Sequence, residues 1–210
     1  MGFGLLFIGF FLAYAGSFTP LAVFTYVLGV GIVLYSLKKL IFENKMFLCS
    51  AVIALLLEVV SMAYLIMYVF GFGGLRVLNA LLTVQSILST ILAISLAFAI
   101  FIISRSLSLT KIQAKATVDV ALASVYLIFA IVTSFAKSEI VLQRTGLVAF
   151  ILKILYIALS LFIIFNCYMR ICYEGDEDMQ GKNSFAPFRY LNDKLNNAME
   201  KGKDKKGKKK

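Results

Sequence analysis

Glu58 is the single charge between Lys45 and Arg76, with 12 uncharged residues before it and 17 after. Lys153 stands in a comparable place, separated from Arg170 by 16 uncharged residues. A carboxylate and an ammonium set in apolar runs can bind a solute, shuttle a proton or neutralise each other. Gln85 and Asn79, two amides in the uncharged stretch from Val77 to Ser104, would add hydrogen-bond donors and acceptors at such a place. Other chemistry is excluded by what is missing. With no His, His-based metal sites and Ser–His or Cys–His nucleophiles cannot form. Cys49, Cys167 and Cys172 are too few and too scattered for a disulfide framework or a four-cysteine zinc site. They read as small residues tolerated by a membrane, with acylation of Cys172 as the alternative. No GxSxG, HExxH or P-loop pattern occurs, and no two carboxylates share a helix face. The expectation is a protein that is not an enzyme and needs neither metal nor cofactor.

The elements that must carry these groups follow from composition. Of 210 residues 61% are apolar and 15% charged, against about 45–50% and about 25% in soluble domains. That balance excludes an ordinary water-soluble globule and equally a disordered chain. It points to an integral membrane protein, and the spacing of charges counts the spans. A crossing helix needs about 20 mostly apolar residues. The first 37 residues carry no charge, more than one span and less than two full ones. Thr19 as a cap and Pro20 at the first helical position divide them into a tight hairpin whose first helix is short. Further spans are expected over 46–70, 77–104, 116–136 and 145–170. With 2–16 and 20–40 they make an all-α, six-span transmembrane bundle over residues 1–172. Asp119 falls at the interfacial end of the fifth span. Residues 1–16 lack the basic segment of a cleavable signal, so the first helix is expected to remain.

Orientation follows from the basic residues of the short connections. Lys38, Lys39 and Lys45 share one side with Arg105, Lys111 and Lys115, and the other side holds Arg76, Lys137 and Arg144. Both termini are therefore expected in the cytoplasm, most simply at the cell membrane. Depth then follows from the helix rise of about 1.5 Å per residue. Glu58 lies about 18 Å from the inner edge, and Lys153 about 12 Å from the outer one. In a hydrocarbon core of about 30 Å the two share a level, with Gln85 beside them and Asn79 nearer the outer mouth. Three arrangements fit: an ion pair pinning helix three to helix six, independent snorkelling, or a functional site.

Small and hydroxyl-bearing residues align around this level. They are Asn79, Thr83, Ser86, Thr90, Ala93 and Ala97 on helix four, and Ser50, Ala54 and Ser61 beside Glu58 on helix three. On helix six Tyr156, Ser160 and Cys167 follow Lys153. Such stripes allow close helix approach and cross-helix hydrogen bonds, and can equally line a solute path. Gly29 and Gly31, and the Gly71-Phe72-Gly73-Gly74 turn, read as the flexible points. With Trp absent, Tyr and Phe are expected to form the aromatic belt.

After the last span the composition changes. Residues 173–200 begin with an acidic knot, Glu174 to Asp178, read as a solvated charge run. A short amphipathic helix follows, with Phe188, Leu191, Leu195, Ala198 and Met199 on one face. Residues 201–210 hold seven Lys and one Asp and read as a disordered polybasic end. Lys205, Lys206, Lys208, Lys209 and Lys210 are its candidate contacts with anionic inner-leaflet lipids. The net charge of +10 is thus mainly an orientation signal, and nucleic acid is not an expected partner.

The leading functional expectation is a non-catalytic membrane subunit or scaffold, partnered by the bilayer and by a membrane protein or a second copy. The alternative is a small-solute transporter or substrate-binding membrane component using Glu58, Lys153, Gln85 and Asn79.

Overall fold

A computed structural model describes residues 2–15, 21–71, 74–107, 109–135 and 139–170. Six helices run through them: α1 (Gly2–Ala15), α2 (Ala22–Glu43), α3 (Phe47–Phe70), α4 (Leu75–Ser106), α5 (Thr110–Phe135) and α6 (Glu139–Arg170). Both prolines, Pro20 and Pro187, lie outside these helices, so no ring interrupts a backbone ladder. Within a bilayer only such internally bonded backbone is tolerated. The hydroxyls follow the same rule. Thr25, Ser61, Thr83, Thr117 and Ser134 donate to the carbonyl four residues back.

Five helices, α2 to α6, are long and apolar enough to cross a membrane, and α1 is a shorter apolar helix. The fold is that of a polytopic integral membrane protein. At 32 residues each, α4 and α6 extend about 48 Å, well past a hydrocarbon core of about 30 Å. The α3–α4 connection starts where expected, at Gly71, which takes the left-handed conformation (φ 67°) that favours glycine. Helix α5 begins at Thr110, six residues before the expected start at 116. The expected Thr19 cap lies outside the described residues, and Leu21 precedes α2 without a side-chain cap. The acidic knot, the amphipathic helix, Cys172 and the Lys-rich end all lie outside the described residues.

Packing is densest between chain neighbours, and α1 against α2 is the tightest case. A Cβ on Gly29 would stand 2.5 Å from the Ala13 amide nitrogen, and one on Gly9 2.8 Å from the Val33 nitrogen. Here backbone meets backbone, as small residues permit. Gly29 is therefore a packing contact, not the flexible point expected, because the hairpin closes directly over it. On its far side α1 meets α6, where the Phe7 and Phe165 rings lie 5.8 Å apart and Gly4 faces the Tyr168 ring.

Helix α4 is the centre of the bundle, burying Ser89, Thr90, Leu92, Ala93, Leu96, Ala97, Ala99 and Ile100. In contrast α3 buries only Phe47, Ser50, Ala54, Leu57 and Ser61, a stripe repeating every three or four residues. Much of the rest of α3, including Leu48, Val52, Leu55, Val59 and Ile66, is exposed, as suits a helix that meets lipid.

Candidate functional site

Four tyrosines from four helices converge on the stretch of α4 from Gln85 to Thr90. Tyr26 of α2 lies against Gln85 and Ser89. Tyr14 of α1 lies against Ser89 and Tyr156. Tyr156 of α6, fully buried, faces Thr90 and Tyr14, and its ring centroid is 5.2 Å from that of Tyr126 on α5. The Tyr126 hydroxyl shares a 3.1 Å hydrogen bond with Ser86. Ser89 and Thr90 both donate to the Ser86 carbonyl at 2.9 Å, which fixes the inward face of α4. The result is a polar layer inside an otherwise apolar bundle, about 15 Å from the start of α4.

Of the four residues expected in this layer, two belong to it. Gln85 is half-buried beside Tyr26, and Glu58 is half-buried on α3 within electrostatic reach of the same tyrosine. One Glu58 oxygen, Oε1, faces Gly31 of α2, 3.6 Å from where a Cβ on that glycine would stand. Asn79 is exposed, six residues and about 9 Å above Gln85; its carbonyl accepts the Thr83 hydroxyl at 3.0 Å. Lys153 is half-buried on α6, between Ala149 and Tyr156 of the inward stripe.

No ion pair joins Glu58 to Lys153 among the described residues. A shared level is not a shared position. Helix α3 packs on α2 and α4, while α6 meets α5 and α1 through side chains and reaches α4 where Tyr156 faces Thr90. The pin between helices three and six is therefore replaced by contacts to other neighbours.

A third ionisable group, expected at the interfacial end of its span, is buried against a neighbouring helix. Because α5 starts at Thr110, Asp119 lies nine residues in, about 14 Å along the helix. It is 2% exposed and accepts the Ser160 hydroxyl at Oδ2, 2.6 Å away. One turn earlier, the Lys115 amine stands 4.3 Å from the centre of the Phe162 ring, an arrangement that steadies a cation by the ring's negative face.

The polar layer borders a cleft of about 240 Å³ between α4, α5 and α6, in which Thr83, Ser86, Tyr126, Thr133 and Ser134 present hydroxyls. Deep in the bundle four polar atoms are buried with no hydrogen-bond partner among the described residues: Glu58 Oε2, Gln85 Oε1, Asp119 Oδ1 and the Tyr156 hydroxyl. Such groups usually find a partner.

Tyr156 is already legible in the helix-six stripe, but Tyr14, Tyr26 and Tyr126 do not stand out in the sequence, since a chain without Trp invites placing Tyr at the interface. The signal is nonetheless present. Tyr126 continues the Ile112, Ala116, Asp119, Ala123 series at three- and four-residue steps, all buried. Tyr26 likewise leads into Val30, Val33 and Leu37. Inward register on its own helix marks each as interior.

No protein-family model matches the sequence, and neither a curated protein nor a solved structure matches it.

Proposed function

We propose that the chain is a non-catalytic membrane subunit or scaffold. The observation that carries this reading is how its buried hydroxyls are used. Ser36 donates to the Gly2 carbonyl at 2.7 Å, tying α1 to α2. Ser95 donates to Ser50 at 3.0 Å between α3 and α4. The Ser86–Tyr126 and Ser160–Asp119 bonds tie α4 to α5 and α5 to α6. Polar atoms at the stripe positions thus serve as interhelical ties, while the broad apolar face of α3 remains open to lipid or to a partner. In this reading both termini face the cytoplasm and the Lys-rich end meets anionic lipid.

A second reading, a solute-binding or transport component, is favoured by one specific observation. Gln85 Oε1 and the Tyr156 hydroxyl have no hydrogen-bond partner among the described residues of one layer, next to a hydroxyl-lined cleft. Purification in mild detergent with identification of co-eluting protein, joined to a Glu58→Gln comparison, separates the two. A stoichiometric membrane partner and unchanged solute uptake support the subunit. Uptake abolished at intact expression supports transport and overturns the first reading.

A further inference from the structure

A second hollow lies on the outside of the bundle, with Glu58 of the polar layer at its inner end. It is a groove of about 450 Å³ between α2 and α3, lined almost wholly by carbon. Gly31, Leu34 and Lys38 form one wall and Ala51, Val52 and Leu55 the other. It extends as far as Ile41, so its length along α2 is about 15 Å. The missing side chain at Gly31 helps to make it. A Cβ there would touch only Glu58 Oε1, so nothing else fills the deep end.

The two ends of the groove differ in charge. Lys38 is part of the lining, and the Lys39 amine is held 4.9 Å from the centre of the exposed Tyr35 ring. Lys45 follows in the turn before α3. With Glu43 counted, residues 38–45 carry a net charge of +2. At the deep end stands Glu58. A ligand that fits must therefore be apolar along its length and anionic at one end, that end being directed to Lys38 by attraction and away from Glu58 by repulsion.

We propose that this groove binds one acyl chain of an anionic glycerophospholipid, with its phosphate at Lys38. A second copy of the chain is a poorer occupant. Two copies related by an axis along the membrane normal would bring their lysine clusters together at one level. A lysine at an anionic membrane surface favours binding about fivefold, and an aromatic ring at headgroup depth, Tyr or Trp, suits the same interface.

The chain has no Trp, so Tyr35→Trp gives a single fluorescent reporter at the mouth of the groove and keeps a ring under Lys39. The full-length variant is placed in phosphatidylcholine vesicles, and its emission is titrated with phosphatidylglycerol or phosphatidylcholine carrying brominated acyl chains. The brominated phosphatidylglycerol should quench with an apparent affinity about fivefold higher. Adding Lys38→Gln should bring that ratio close to one, while Lys38→Arg should keep it, which separates loss of charge from loss of fold. Lys111→Gln, remote from the groove, should leave it unchanged. Equal quenching by both lipids in the starting protein overturns the proposal. So does an equal fall with Lys38→Gln and Lys111→Gln, which would mean diffuse surface attraction, or cross-linking of two copies through Val52 with no lipid quenching.

Discussion

The Ser160 hydroxyl donates to Asp119 Oδ2 across 2.6 Å, joining α6 to a carboxyl group that is 2% exposed. The second oxygen of that carboxyl is buried with no hydrogen-bond partner among the described residues. Ser160→Ala should therefore cost more than a lost neutral hydrogen bond, about 1–3 kcal/mol, because it strands a buried acceptor. Ser134→Ala, which removes an exposed hydroxyl bonded within its own helix, should cost under about 0.5 kcal/mol. Thermal unfolding of both variants in the same detergent provides the comparison, and equal shifts would contradict it.

Gly29→Ala and Gly31→Ala make a matched pair on α2. The first puts a Cβ 2.5 Å from the Ala13 nitrogen, with backbone that cannot swing aside. The second meets only Glu58 Oε1 at 3.6 Å, ordinary van der Waals contact. Overpacking should make Gly29→Ala destabilising by about 1–3 kcal/mol, while Gly31→Ala stays close to neutral or slightly stabilises the helix. Midpoints of thermal inactivation in detergent, and the yield of folded protein, should separate them clearly.

Glu58 and Lys153 offer a test of position against level. Since no ion pair joins the two side chains among the described residues, the effects of Glu58→Lys and Lys153→Glu on stability should add to within about 0.5 kcal/mol in the double variant. Recovery of expression or melting temperature on swapping the charges would show that the two side chains meet.

The difference between level and position also explains what the sequence makes legible. Six helices can be read from charge spacing because a charge is costly in lipid, so uncharged runs mark where helices must lie. The depth of Glu58 and Gln85 follows from helix rise alone. Which helix lies beside which requires packing information that no single helix carries, and this is why Lys153 is not at Glu58. Asp119 is legible as a charge in the first turns of its span but not as a buried one, because nothing on α5 announces that Ser160 of another helix supplies its hydroxyl. For the tyrosines, register is a better guide than residue type.

Tyr126→Phe and Tyr156→Phe test whether the polar layer holds the bundle together or waits for a ligand. Tyr126 has a partner in Ser86, so its loss should cost about 0.5–1.5 kcal/mol. The Tyr156 hydroxyl faces Thr90 and Tyr14 without a well-formed hydrogen bond, so removing it should cost less than removing that of Tyr126. Should the solute-binding reading hold, Tyr156→Phe would lower uptake while leaving the melting temperature intact. Melting and uptake measured on one preparation distinguish these outcomes.

The interhelical ties made by Ser36, Ser95, Ser86 and Ser160 each join helices consecutive in the chain, and this has a consequence for the order of assembly. As the polypeptide enters the bilayer, each new helix in these pairs finds its bonding partner already present in the one just inserted. Little loop entropy opposes such closure, and local contacts of this kind favour rapid folding. Contacts between helices distant in the chain form later, among them the seam between α1 and α6, where Phe7 meets Phe165 and Gly4 meets Tyr168. That seam waits for α6. Until it arrives, the face of α1 that it covers is left to lipid or to an assembly factor, so the first helix in the chain is among the last to complete its packing.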